Sequence, residues 1–190
     1  MKRITCLVSG SLLVATVVFA QQPAPAPVPF AASVQRAYAD IKKNLTAAAD
    51  KLSEADYGFK PSTMPEVRTY GKLFGHVANA QFGSCAAAKG VPNPNQGNNN
   101  EMKTTKAEFV KALADSFAFC DDAFSSLTDA TAMQMVTRGR GQQTRAWVLA
   151  DLIAHSNEMY GTAAVYLRAK GIVPPSTDEA AAARGQRGSQ

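Results

Sequence analysis

Histidine is scarce in this chain. Among 190 residues there are two, His76 and His155, with one tryptophan and three cysteines. No Cys-x-x-Cys pair is present, and neither Cys85 nor Cys120 has a second cysteine or histidine at ligand spacing, which argues against a cysteine-held metal. There is no Gly-Lys-Ser/Thr loop to cradle a phosphate and no nucleophile-elbow serine. No basic stripe interleaved with aromatics runs along the chain, so no nucleic-acid partner is expected. The long apolar run from Ile4 to Phe19 falls short of the roughly 20 residues that a membrane span requires.

That run reads instead as an export signal. Lys2 and Arg3 precede it, and Val18-Phe19-Ala20 supplies small or aliphatic residues at the −3 and −1 positions of a cleavage site after Ala20. The expected organisation is a signal peptide over 1–20, a Pro/Ala-rich spacer over 21–29, one domain over 30–176 and a disordered tail over 177–190. Cleavage removes Cys6 together with two positive charges, and no cysteine follows to carry a lipid. The expectation is an exported protein, periplasmic or extracellular, with no stable membrane insertion after processing. About 150 ordered residues suffice for one core.

Within the domain the apolar residues recur at helical spacing, and no convincing strand is seen. The first helix is expected from about Ala31 to Leu52, with Val34, Tyr38, Ile41 and Leu45 on one face. A second runs from about Thr69 to Lys89 and stops at Gly90. A third starts at Thr105, which forms a capping box with Glu108. The fourth follows Thr144 and carries Val148, Leu152, His155, Met159 and Tyr166 on one face. Gly171 and Pro174-Pro175 end it. The stretch from Gly90 to Thr104, with Pro92, Pro94 and several asparagines, reads as a long surface loop. Trp147 reads as a core or rim aromatic, and Arg68 as one half of a salt bridge.

Four such helices predict a four-helix bundle. In an exported protein the surviving pair Cys85 and Cys120 is read first as a disulfide, with two buried thiols as the alternative. Cys85 lies sixteen residues into the second helix and Cys120 fifteen into the third. Parallel helices would set the two at similar heights. Antiparallel ones would part them by roughly 15–20 Å, beyond the ~7 Å Cα limit of a disulfide. A bridge would therefore make the bundle up-down-down-up.

Both histidines fall on helix faces, in Phe74-Gly-His76-Val-Ala and His155-Ser-Asn-Glu-Met159-Tyr-Gly. That placement invites a metal-site reading, with hydrogen-bonded core histidines as the alternative.

Those two segments, with Phe59-Lys-Pro61, Glu66-Val-Arg-Thr69 and Val165 to Pro175, resemble the DinB/YfiT-like superfamily of metalloenzymes. The resemblance spans about Phe30 to Ser176 and is strongest to its exported branch, which tends to carry cysteines at the positions of Cys85 and Cys120. It implies an all-α, up-down-down-up four-helix bundle. It also implies a divalent metal, zinc or nickel, held by one histidine of the second helix and a His-x-x-x-His pair of the last. Such a set leaves a position open for water or substrate. His76 and His155 map onto the first two ligands, but the third position is Met159. A thioether suits Cu(I) better than zinc or nickel.

Three states of the site follow: an altered or vestigial one without metal, a metal held through His76, His155 and a substitute oxygen ligand, or a soft copper site. Asn157, Glu158 and Tyr160 follow the family pattern and are expected at the pocket. Glu158 is turned about 100° from Met159 and does not replace it directly. The expected function is that of an exported DinB-like protein of unassigned activity, with this altered site in a small-molecule cavity. A metal-dependent transferase or hydrolase using His76 and His155 is the second expectation, and a non-catalytic binding or interaction module the third. The resemblance includes metal-dependent thiol transferases, but the missing third ligand and the scarcity of reduced thiols outside the cell both count against that activity here. The resemblance also implies a homodimer, though sequence leaves the oligomeric state open.

Overall fold

The computed structural model describes residues 27–187. The expected signal peptide, and the spacer from 21 to 26, lie outside the described residues. The elements are α1 (Phe30–Lys51), α2 (Tyr70–Lys89), α3 (Lys106–Ser125), β1 (Met135–Arg138), β2 (Gly141–Thr144), α4 (Arg145–Ala169) and α5 (Pro175–Arg187). Two short 3-10 turns, Glu54–Asp56 and Asn100–Met102, interrupt the loops.

Local chemistry sets the helix ends. Thr69, Thr105 and Thr144 each accept a backbone N–H of the first turn through the side-chain oxygen, satisfying a donor that has no partner inside the helix. Thr105 and Glu108 complete a reciprocal capping box. Gly90 ends α2 at φ 68°, a left-handed conformation that costs glycine nothing.

Hydrogen bonds between elements give the helix directions. Tyr70, at the start of α2, donates to the Ala48 carbonyl near the end of α1, so these two helices are antiparallel. Lys89 at the end of α2 reaches Asp122 near the end of α3, and the Cys85–Cys120 disulfide ties the same pair at a Cα separation of 5.3 Å. Helices α2 and α3 therefore run parallel. Arg145 at the start of α4 donates to the Ala123 carbonyl near the end of α3, which turns α4 back. The result is an all-α, up-down-down-up four-helix bundle.

Its core is packed by Leu45, Tyr70, Phe74, Leu113, Phe124, Leu149 and Leu167, all but fully buried. Each contributes about 1.5–3 kcal/mol of transfer free energy. Tyr57 and Tyr70 keep their buried hydroxyls satisfied by donating to the Ala49 and Ala48 carbonyls, both at 2.6 Å. No helix among the described residues is long and apolar enough to cross a membrane.

Three features differ from the sequence reading. Strands β1 and β2 pair antiparallel, Val136 against Gln143 and Thr137 against Gln142. The segment lacks an alternating apolar pattern. A turn with Gly139 at φ 62° and anchoring of Arg145 N to Gln134 O hold it together instead. Most of α5, residues 177–187, falls in the tail expected to be disordered. Pro175 suits a helix start, the Ala180–Ala183 run has high helix propensity, and Asp178 pairs with Lys51 at 2.7 Å. Trp147 is 57% exposed on the first turn of α4 rather than in the core or at its rim.

Candidate ligand cleft

Helices α2 and α4 pack antiparallel and bring His76 and His155 face to edge, with ring centroids 5.0 Å apart. They line a cleft of about 510 Å³ with Asn79, Ala80, Ser84, Arg138, Asp151, Leu152, Ala154 and Glu158. A hollow of about 660 Å³ lies at the hairpin end, lined in part by Lys89 and Arg145. There Arg145 is engaged in capping α3, donating to Ala123 O and Ser126 Oγ, and Lys89 reaches Asp122. The histidine cleft is the better candidate because both histidines line it and His155 Nε2 has no hydrogen-bond partner among the described residues.

A notch in α2 sets the position of His76. Gly75 faces the 3-10 turn Asn100–Met102, and a Cβ there would collide with the Asn100 carbonyl. Asn79, one turn on, accepts from Asn100 N and Asn100 Nδ2 at 3.0 Å and donates to Asn99 at 2.7 Å. The asparagine-rich loop is thus clamped onto α2. That clamp brings the Glu101 Oε1 atom to 2.7 Å from His76 Nδ1, while Arg68 Nε donates to Oε2 at 2.9 Å. Burial alone would raise the Glu101 carboxyl, but hydrogen bonds and charge from Arg68 and His76 hold it below the usual carboxylate range.

His155 is set differently. Its Nε2 is buried and has no hydrogen-bond partner among the described residues. Its Nδ1 lies 3.7 Å from Glu158. Burial, and next the neighbouring His76, hold the imidazole below the ordinary histidine range, which favours the neutral ring. Arg138 crosses from β1 to pair with Asp151 at 2.6 Å and forms one wall of the cleft.

The expected site residues separate in three dimensions. His76, His155 and Glu158 share the cleft. Met159 is 8% exposed, belongs to the hydrophobic core and is not among the lining residues. Asn157 is exposed and donates to the Ile153 carbonyl. Tyr160 exchanges hydrogen bonds with Ser176 at the start of α5. Glu101, Asn79, Arg138 and Asp151 were not foreseen. Only the glycine directly before His76 hinted that another segment comes close.

The family-implied metal can be tested against these donors. Two imidazoles are present, but among the described residues no three His, Cys, Asp or Glu side chains gather closely enough to hold an ion. With the thioether of Met159 in the core, the residues do not fit a centre with three protein ligands.

A family model described as the DinB superfamily matches residues 37–163. Among solved structures, the chain is similar to a DinB-like protein from Bacillus cereus, with 15% identity and a TM-score of 0.62, over 75% of this chain and 93% of that one. At that identity the likeness speaks for the fold. No curated protein matches the chain.

Proposed function

We propose a function from two facts: the chain belongs to the DinB superfamily, and its two histidines face each other in one cleft while Met159 lies in the core. On this reading it is an exported member whose cleft binds a small molecule and whose ancestral metal site is altered. The position of Met159 carries the reading. The Lys2-Arg3 start, the apolar run and the wholly buried Cys85–Cys120 bridge support export, because such a bridge persists in oxidising compartments. Within the cleft His155 serves as a neutral hydrogen-bonding group, and Glu101 fixes the orientation of His76.

A second reading has one observation in its favour. A carboxylate on the Nδ1 of a histidine is the outer-shell arrangement of metal-bound imidazoles, and Glu101 supplies it to His76. On that reading His76, His155 and water would hold a divalent ion or Cu(I), and the ion would act as a Lewis acid for a transferase or hydrolase.

Calorimetric titration of the purified protein with Zn(II), Ni(II) and Cu(I), beside elemental analysis, separates the two. The altered-site reading expects substoichiometric metal on purification and weak binding of all three ions. Stoichiometric metal lost in His76→Ala and His155→Ala would establish the second reading instead.

A further inference from the structure

The charge and lone pairs of the cleft lean towards acceptors. Glu101 Oε1, 2.7 Å from His76 Nδ1 and steadied by Arg68, keeps the proton of a neutral His76 on Nδ1 and leaves Nε2 as a lone pair. Glu158, 3.7 Å from His155 Nδ1, biases the second ring the same way. Asn79 is largely committed: one N–H of its amide goes to Asn99, and its oxygen takes donors from Asn95 and Asn100. Arg138, the one lysine or arginine lining the cleft, is turned to Asp151 at 2.6 Å. Two carboxylates, Asp151 and Glu158, stand against that single guanidinium, and Ala80, Leu152 and Ala154 add an apolar wall.

We propose that the cleft takes a small organic cation, an alkylammonium, whose N–H groups donate to His76 Nε2. Its charge is set against Asp151 and Glu158, and its alkyl part lies on the apolar wall. Glu101 is then a positioning residue, acting through the tautomer of His76 without touching the ligand. A carboxylate or phosphate of the same size would meet lone pairs and negative charge. The inference rests on the small-molecule reading above and adds the charge class of the ligand.

The test is long-range ¹H–¹⁵N NMR of the two imidazoles in the purified protein, held above the histidine titration range. The protein is titrated separately with n-butylammonium chloride and sodium butyrate, which share an alkyl chain and differ in charge. The free protein is expected to show His76 protonated on Nδ1. Butylammonium is expected to shift the Nε2 resonance saturably, and butyrate to leave it in place. Glu101→Gln should mix the His76 tautomers and weaken butylammonium binding by about tenfold, the effect of losing one charge-assisted hydrogen bond. Saturable binding of butyrate without butylammonium would overturn the cation proposal and leave the small-molecule reading standing. Silence towards both probes would overturn the two together. An unchanged tautomer and affinity in Glu101→Gln would remove the positioning role.

Discussion

Against α3, helix α2 presents Cys85 in a covalent bond to Cys120 and Phe82 packed on Phe119 at 5.7 Å between ring centres. Against α4 it presents His76, whose partner across the seam is a second imidazole with a buried nitrogen that has no partner among the described residues. The first seam is cross-linked and aromatic along its length, with the Lys89–Asp122 pair at its end. The second gathers ion pairs, an orphan polar atom and an open volume. One helix thus serves two purposes through two faces. The α3 side fixes the bundle, which lets the α4 side keep groups that do nothing for stability. Substitutions on either face can break that division, and the largest effect is expected at the cross-link.

Removing the cross-link should cost most. Closing a loop across a sequence separation of 35 restricts the unfolded chain by about 4 kcal/mol in the chain-entropy account. The double variant Cys85→Ala, Cys120→Ala is therefore expected to lose about 3–4 kcal/mol in urea unfolding. The imidazole resonances of His76 and His155 should keep their wild-type positions below the transition. If those resonances collapse with the disulfide, the two seams are one cooperative unit and the comparison fails.

Two glycines of α2 give an intermediate effect with opposite signs. At Gly75 an added methyl meets the Asn100 backbone, so Gly75→Ala should destabilise by about 1–3 kcal/mol and push Glu101 away from His76. At Gly83 nothing lies within 4 Å of the point where a Cβ would stand, so Gly83→Ala should stabilise by about 0.5–1 kcal/mol through helix propensity alone. Thermal unfolding of the pair, with His76 chemical shifts as the second readout, checks both. Equal effects at the two positions would mean that the loop does not bear on α2 at Gly75.

The bundle was more legible in the sequence than the cleft, for reasons that differ residue by residue. Thr69, Thr105, Thr144 and Gly90 announce helix ends because capping is decided within a few residues of chain. The cysteine spacing carried helix direction because a disulfide tolerates little mismatch in height. Periodicity set His76 and His155 each on a helix face, but only the family resemblance implied that the two faces meet. Glu101 was not, since its place depends on a loop seated in the Gly75 notch, which no local pattern encodes. Met159 shares a stripe with His155 in the sequence, yet one turn of helix is enough to carry the stripe from the cleft rim into the core. Strands β1 and β2 escaped notice because four residues each, Met-Val-Thr-Arg and Gly-Gln-Gln-Thr, carry no apolar alternation to read.

The smallest effect is expected where the comparison is sharpest, at His155. Replacing it by leucine removes a buried nitrogen that has no partner among the described residues and keeps an apolar body on the α4 face. At alkaline pH the stability of His155→Leu should match or slightly exceed that of the wild type, because an unsatisfied polar atom contributes nothing when buried. The two proteins should then diverge on acidification. A histidine whose folded-state pKa is lowered from 6.5 is protonated first in the unfolded chain, so its contribution is whole above that value and shrinks as the pH falls through it toward the folded pKa. Wild-type stability should therefore decline through this window more steeply than that of the leucine variant, as read from urea midpoints taken across the range. A variant that is much less stable at alkaline pH would show that His155 supports the bundle, and the α4 side of α2 would then be structural like the α3 side.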